Sequence, residues 1–88
     1  MKLPAKIQLA GKPVVVRRSR RPLKGEWGYY RNDKKSGEIV LSKDLPDSRA
    51  LTILIHEALH GLFFYLDEEV VHQASIELAE ALETLELA

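Results

Sequence analysis

The sequence predicts an α+β fold, in which a small antiparallel sheet of about three strands is followed by two antiparallel helices. Region 1–47 holds three short β-branched or aromatic runs separated by glycine- and proline-containing turns. In region 48–88, apolar residues recur at helical spacing. Because 88 residues allow one small hydrophobic core, both regions are expected to form a single domain, 1–88.

The three strands are expected at 13–18, 26–31 and 38–42. The sequences PVVVRR, EWGYYR and EIVLS supply the β-branched and aromatic residues that pack well on a pleated surface. NDKKSG, between the second and third strands, is built from residues that favour turns. These two strands are therefore expected to pair as an antiparallel hairpin.

The first helix is predicted from about Ser48 to about Tyr65, with Asp47 or Ser48 as its N-cap. One face should be apolar, because hydrophobic residues recur three and four positions apart. These residues are Leu51, Leu54, Ile55, Ala58, Leu59 and Leu62.

The second helix is expected to begin after a capping residue, Asp67. Glu68 and Glu69 would occupy its first turn, where the helix dipole favours negative charge. Since only a few residues separate the helices, they should pack as an antiparallel pair. The predicted buried stripe of the second helix consists of Val71, Ala74 or Ser75, Leu78, Leu82 and Leu85.

Charge is divided along the chain, although the formal net charge is zero. All 13 Lys and Arg lie at or before Arg49 together with five acids, whereas 50–88 hold eight acids and no Lys or Arg. The two regions therefore carry formal charges of +8 and −8. Either they attract each other in the folded chain, or the first presents a basic surface to nucleic acid or an acidic protein.

Composition excludes several functional classes. The chain has no cysteine, which rules out disulfides, thiolate zinc sites and cysteine nucleophiles. The N-terminal sequence MKLPAKIQLAGKP lacks the apolar segment of a signal peptide, and the longest apolar runs are too short to span a bilayer. A cytoplasmic protein without membrane contact is therefore expected.

The sequence IHEALHG at 55–61 carries the most informative pattern. His56 and His60 are four residues apart, so on a helix they lie on one face and can aim two imidazoles at one point. Neutral imidazole is a good zinc ligand. Glu57 is adjacent to the first histidine, which suits a general base acting on metal-bound water.

An ordinary helix with two hydrogen-bonded histidines and one solvated glutamate is the alternative interpretation of H-E-x-x-H. The surrounding sequence LTILIHEALHGLFFYL favours the metal, because burying two imidazoles without partners costs free energy. Gly61, directly after the motif, leaves the site uncrowded.

A catalytic zinc usually has three protein ligands and a water, so the two histidines do not complete a site. The candidates for the third ligand lie in the next helix and are Glu68, Glu69 and His72. In an antiparallel helix pair, His72 should lie nearly level with His60, and Glu68 nearer the turn. The acids could instead be helix-start charges and His72 a surface residue, so the choice stays open at this point.

The sequence TILIHEALHGLFFYLDEEVVHQASIELAEAL, at 52–82, resembles the short zincin-like HExxH metallopeptidases of phages and bacteria. The shared features are a hydrophobic run into HExxH, a short link and a leucine–acid–acid–valine helix start. The glycine-containing hairpin that precedes the motif and ends in an I-x-L strand is similar too. The resemblance spans roughly 25–85.

This resemblance implies a minimal zincin-like fold and hydrolysis of peptide bonds through a zinc-bound water. It implies Zn2+ held by His56 and His60, with Glu57 as the catalytic base. In the glutamate-type zincins an acid from the next helix is the third ligand, which corresponds to Glu68, while Glu69 and His72 compete for that role. A catalytically inactive zincin-like binding or regulatory module is the alternative.

The resemblance also implies a role for the strand EIVLS. In zincins, a sheet edge beside the active helix aligns an extended substrate, so Ile39, Val40 and Leu41 are expected to pair with the backbone of a peptide. The alternative is a core strand without contact to substrate.

Three further features of the sequence have alternative interpretations. The basic sequence RRSRR could bind the phosphates of a nucleic acid through Arg17, Arg18, Arg20 and Arg21. The alternative is that this segment forms a solvated loop. Trp27, Tyr29 and Tyr30 could stack on bases, although an alternating strand favours core and rim positions. Tyr65 could stabilise an oxyanion, although packing at the helix end is favoured.

Overall fold

The computed structural model describes residues 3–20, 27–32 and 35–87. Four strands are followed by two helices, which confirms the α+β class and the predicted order of sheet and helix pair. The strands are β1 (Lys6–Leu9), β2 (Lys12–Ser19), β3 (Gly28–Asn32) and β4 (Gly37–Ser42), and the helices are α1 (Asp47–Leu62) and α2 (Glu68–Leu87).

The sheet is mixed, with strand order β1-β2-β4-β3. The predicted antiparallel hairpin of β3 and β4 is confirmed, but β2 and β4 pair in parallel. The prediction of about three antiparallel strands was therefore wrong in number and in direction. The four-residue strand β1 is too short to produce a clear alternation, and β4 inserts between β2 and β3 by a long-range pairing that no local pattern encodes.

A tight turn joins β1 to β2. Its two central residues, Ala10 and Gly11, have φ angles of 52° and 77°. A two-residue loop in which both residues adopt the left-handed backbone conformation matches the right-handed twist of the flanking strands. The turn fixes the register in which Leu9 faces Lys12.

The main core lies between one face of the sheet and α1. Its buried side chains come from β2, β4, the β4–α1 connection and the first half of α1. They are Val14, Val16, Ile39, Leu41, Leu45, Ala50 and Leu54. The helix packs across β3 and β4, which places its second half beside an edge of the sheet.

Both ends of α1 differ from the prediction. The helix begins at Asp47 directly after Pro46, and no side chain caps its first N–H groups, so the predicted cap at Asp47 or Ser48 is wrong. The Asp47 carboxylate pairs instead with Arg18 at 3.3 Å. The helix ends at Leu62 rather than Tyr65, because Phe63 leaves helical geometry while its N–H still donates to the carbonyl of Leu59.

Among the described elements, α2 packs on α1 and on no strand. Its contact line is Val71, Ser75 and Ala79, which are buried. The buried hydroxyl of Ser75 donates to the carbonyl of Val71 at 2.6 Å. Small residues four positions apart allow close approach of the two helices. No described helix combines the length and the apolar content needed to cross a membrane.

The predicted buried stripe of α2 is correct at Val71 and Ser75 and wrong at its three leucines. Leu78, Leu82 and Leu85 are 46%, 44% and 70% exposed. Because a helix with a single neighbour buries only a narrow strip, the leucines beside that strip stay in solvent.

Candidate metal centre

Two histidines of α1 point toward α2. His56 and His60 occupy successive turns of one helix face, as their spacing predicts. Their Nε2 atoms are 3.0 Å apart, and their rings meet edge to face at a centroid distance of 4.6 Å. The His56 side chain is 14% exposed and that of His60 is 30% exposed, so the pair lies at the boundary between core and solvent.

A carboxylate from α2 completes the group. The chain reverses between Leu62 and Glu68, which brings the first residue of α2 over the two histidines. Glu68 Oε1 lies 2.9 Å from His56 Nε2, and Oε2 lies 2.8 Å from His60 Nε2. One ligand atom from each of the three residues falls within 4.8 Å of the others.

Hydrogen bonds between neutral histidines cannot account for all three close contacts. A neutral imidazole has one N–H, so each Nε2 either donates or accepts. A bond between the two Nε2 atoms makes one of them an acceptor, which then has no proton for its carboxylate oxygen. If both Nε2 atoms carry protons, two N–H groups face each other across 3.0 Å. A cation bound between His56, His60 and Glu68 removes this conflict, because every converging atom then donates a lone pair.

The dimensions and the donor set suit a small divalent cation. Ligand atoms at roughly 2.0–2.1 Å from a tetrahedral zinc are about 3.3 Å from one another. The observed contacts of 2.8 to 3.0 Å, which involve both oxygens of Glu68, are close to that value, and one ligand atom from each residue lies within 4.8 Å of the others. Two imidazoles and one carboxylate form a donor set used by catalytic zinc, and imidazole also suits other first-row metals.

Burial keeps His56 ready to bind a metal. The pKa of its imidazole is lowered from the ordinary value of 6.5, chiefly because desolvation disfavours the charged ring. The negative charge of Glu68 opposes this shift without cancelling it. His56 is therefore neutral near pH 7, which is the form that coordinates a cation.

The three residues open into a cavity of about 640 Å³ between α1, α2 and β3. Glu57 lies in its wall, where the sequence predicted the general base. His72 is in the wall too, with its ring centroid 6.2 Å from that of His56. Other wall residues come from β3, from the start of α1 and from the α1–α2 link.

Of the three candidate third ligands, Glu68 alone belongs to the group of converging ligand atoms found in the described residues. Glu69 lies along a different, shallow groove of α2, beside Val70 and Gln73. His72 is exposed and lies next to the group without joining it. The helix positions of Glu68 and Glu69 differ by about 100°, which explains why neighbouring acids face different surroundings.

Gly61 has a role that the sequence did not reveal. A Cβ atom there would lie 2.8 and 2.9 Å from two ring atoms of Tyr30. The glycine thus admits the aromatic ring of β3 against α1, directly after His60, rather than clearing space at the metal. A glycine inside a helix, where it costs about 1 kcal/mol relative to alanine, was the available signal for close packing.

The strand predicted to bind substrate cannot do so. Ile39, Val40 and Leu41 are completely buried. Their strand, β4, is paired with β2 on one side and with β3 on the other, so it has no free backbone for a peptide. The predicted substrate-binding role of these three residues is wrong, because β4 is a central strand.

The free edge beside α1 belongs to β3. The carbonyl of Trp27 accepts a hydrogen bond from the N–H of Ser42 at 2.8 Å, so these two residues form a hydrogen-bonded pair of the antiparallel ladder. Hydrogen-bonded and non-hydrogen-bonded pairs alternate along such a ladder. By that alternation, the backbone groups of Gly28, Tyr30 and Asn32 point away from β4. No described strand pairs with this edge of β3, and Gly28 and Tyr30 line the cavity.

The first two arginines of the basic cluster do not share one surface. Arg17 and Arg18 are adjacent in β2 and face opposite sides of the sheet. Arg17 pairs with Glu38 at 3.1 Å, and Arg18 donates to the carbonyls of Ser42 and Leu45. Both side chains are thus engaged in the fold. Arg20 is exposed and Arg21 lies outside the described residues, so contact with nucleic acid stays a prediction.

The aromatic residues occupy different environments. Tyr30 is packed against the core cluster, and Trp27 is partly exposed beside Arg49. Tyr65 is largely exposed, with its ring against Phe63 and Phe64, so the packing role predicted for it at the helix end is limited to these two neighbours.

Comparison with family models, with curated proteins and with solved structures finds no match to this chain. The resemblance to zincin-like metallopeptidases therefore stays a prediction. A functional proposal has to depend on the geometry of the His56, His60 and Glu68 group.

Proposed function

We propose that this chain is a zinc-dependent peptidase of minimal zincin-like form. His56, His60 and Glu68 would hold the metal, and the supporting observation is the convergence of their three ligand groups at 2.8 to 3.0 Å. Zinc bound there would polarise a peptide carbonyl and lower the pKa of a water to about 7.

Glu57 is the proposed general base. It follows His56 in the chain and lies about 100° around the helix from it, in the wall of the same cavity. From this position its carboxylate can accept the proton of the attacking water and then pass it to the leaving amine. A carboxylate in this role contributes about 10²–10⁴-fold to the rate.

The free edge of β3 is the proposed binding strand for the substrate. An extended peptide can pair with the outward-pointing backbone groups of Gly28, Tyr30 and Asn32. Main-chain pairing would hold the peptide without regard to sequence, next to the metal ligands of α1. The substrate is still proposed to pair with the sheet, but with β3 instead of β4.

The first test is the zinc content of protein purified without added metal. About one equivalent is expected, retained in Glu57→Gln and in His72→Ala, and lost in the double variant His56→Ala, His60→Ala. His72→Ala is the matched control, because it removes an imidazole from the same cavity and leaves all three proposed ligands in the sequence. A metal-free wild type with an unchanged fold would contradict the proposal.

The second measurement is hydrolysis of a peptide library by the zinc-loaded protein. Glu57→Gln should reduce the rate about 10²–10⁴-fold at unchanged zinc content. Full activity in Glu57→Gln would overturn the base assignment. Zinc binding without hydrolysis of any peptide would favour the alternative, a zincin-like binding or regulatory module, in the cytoplasmic setting that the sequence predicts.

A further inference from the structure

The cavity carries the positive charge of Arg49, two helix turns before His56. Arg49 lies in the cavity wall, and its guanidinium carbon is 5.9 Å from the centroid of the Trp27 ring. A guanidinium stacked on an aromatic face keeps its N–H edges free for hydrogen bonds. The tryptophan thus orients the charge without neutralising it.

Apart from its contact with the Trp27 ring, Arg49 forms no charged contact within the described part of the fold. None of the ion pairs among residues 3–20, 27–32 and 35–87 involves it. It lies in the first turn of α1, where the helix dipole disfavours a cation. An arginine that forms no ion pair with a described residue, at an unfavourable helix position in the wall of the candidate active site, is suited to an anionic ligand.

Helix geometry gives the distance between this charge and the metal ligands. Arg49 precedes His56 by seven residues, which is two turns, so both lie on one face of α1. The rise between them is about 10.5 Å. An extended peptide advances about 3.3–3.4 Å per residue, so about three residues cover this distance.

The direction of β3 fixes which part of a peptide lies near Arg49. A Cβ on Gly28 would be 3.1 Å from Ile53 in the first half of α1, whereas Tyr30 packs on Gly61 near its end. The strand therefore runs in the same direction as the helix. A peptide pairing antiparallel to β3, the slightly more stable mode, runs toward Arg49 with its C-terminal part.

We propose that Arg49 binds a carboxylate of the substrate about three residues beyond the cleaved bond on the C-terminal side. This inference rests on the proposed peptidase function, and it names the substrate class: peptides with an acidic group at that distance. The carboxylate is either an Asp or Glu side chain or the C-terminus of the peptide. Both present two oxygens to the guanidinium fork.

Binding can be measured without catalysis, using zinc-loaded Glu57→Gln protein and dye-labelled peptides in an anisotropy titration. The peptides differ only in carrying Glu, Gln or Lys at the third position after the tested bond, with free or amidated C-termini. Trp27 is the single tryptophan, so its fluorescence reports whether a peptide reaches Arg49. Amidated peptides test the side chain, and short peptides ending at this position test the C-terminal carboxylate.

Peptides with the carboxylate are expected to bind at least about tenfold more tightly than their neutral counterparts. Arg49→Glu should remove this preference and favour the Lys peptide, whereas Arg49→Lys should keep part of it. Lys43→Glu is the matched control, because it makes the same charge change at an exposed residue that does not line the cavity. It should leave the preference unchanged.

The outcomes separate the two proposals. Equal affinity for acidic and neutral peptides, or equal effects of Arg49→Glu and Lys43→Glu, would overturn the role of Arg49 even if the wild type cleaves peptides. Arg49-dependent binding of acidic peptides without any hydrolysis by the wild type would overturn the peptidase function and leave the carboxylate site standing.

Discussion

Glu68 has the greatest influence of any single residue on the candidate site. Its two carboxylate oxygens reach two different histidines, and it is the candidate ligand that α2 contributes to the group. Glu69 follows it directly in the same helix turn but faces a different groove. The two acids therefore form a natural pair for separating the effect of a ligand from the effect of charge.

Glu68→Gln should weaken zinc binding strongly, whereas Glu69→Gln should leave it nearly unchanged. Changes to residues that merely support metal ligands cost about 10–100-fold in affinity, so loss of a ligand should cost at least as much. Competition with a chromogenic chelator measures both affinities. Equal losses in the two variants would indicate a general charge effect and contradict the ligand assignment.

At the level of elements, two glycines leave space for the Tyr30 ring of β3, one in α1 and one in β4. The Tyr30 ring lies against Gly61 at one end, and its hydroxyl lies 3.1 Å from the position that a Cβ on Gly37 would occupy. A side chain at either glycine would therefore crowd the Tyr30 side chain. The same contact places the free edge of β3 next to His60.

Gly61→Ala is expected to destabilise the protein, although alanine is the better helix former by about 1 kcal/mol. The new Cβ would collide with the Tyr30 ring at 2.8 Å, and overpacking of this kind costs about 1–3 kcal/mol. Chemical denaturation measures the difference. The double variant Gly61→Ala, Tyr30→Leu should recover part of it, and purely additive effects would contradict the steric explanation.

An acidic residue joins three strands on the face of the sheet opposite α1. Glu38 of β4 accepts from Arg17 of β2 at 3.1 Å and from Arg31 of β3 at 3.0 Å. Hydrogen bonding from Arg17, followed by the attraction of both guanidinium groups, holds the pKa of the Glu38 carboxyl below its ordinary value of 4.5. The pairs are partly exposed, so their effect should be small and should decrease with salt.

Glu38→Gln should lower the melting temperature at neutral pH, and the difference from wild type should vanish in acid. Because the folded pKa of Glu38 is depressed, its stabilising contribution is present above about 4.5 and is lost as the pH falls through the folded value. Thermal unfolding of both proteins between neutral and acidic pH measures this change. A difference that persists in strong acid would show that the ion pairs are not its cause.

At the level of the whole molecule, a metal bound at the candidate site would be coupled to the position of α2. This helix packs on α1 alone among the described elements, and its first residue is a ligand candidate. A cation bound by both helices would therefore act as a cross-link between α2 and the rest of the fold. Without it, the buried contact of α2 with α1 among the described residues is centred on Val71, Ser75 and Ala79.

Zinc should therefore stabilise the folded state, and chelation should loosen α2 first. A free zinc concentration of 100 times the dissociation constant adds about 2.7 kcal/mol if the unfolded chain does not bind the metal. For a domain of this size, each kcal/mol raises the melting temperature by about 4–8 °C. Calorimetry with and without a chelator measures the shift, and hydrogen exchange locates it.

The variant His56→Ala, His60→Ala provides the control for this experiment, since its melting temperature should not respond to zinc. Loss of exchange protection on chelation should be larger in α2 than in β2 and β4. Equal loss in all elements, or a zinc response in the variant, would contradict coupling through the proposed site.

The sequence by itself determined the features that depend on local spacing. The 3.6-residue period places His56 and His60 on one face, and the alternation of β-branched and aromatic residues locates the strands β2, β3 and β4. The turn residues of NDKKSG were sufficient to predict the antiparallel pairing of the last two strands.

Only the tertiary structure decided which residues meet across the chain. The parallel pairing of β2 with β4 makes β4 a central strand and leaves β3 at the edge of the sheet. The strand proposed to bind substrate is therefore β3 and not β4. The rotation of α2 about its own axis selects Glu68 over Glu69 and exposes Leu82. Strand order and helix rotation are set by contacts between residues far apart in sequence, and no local period contains that information.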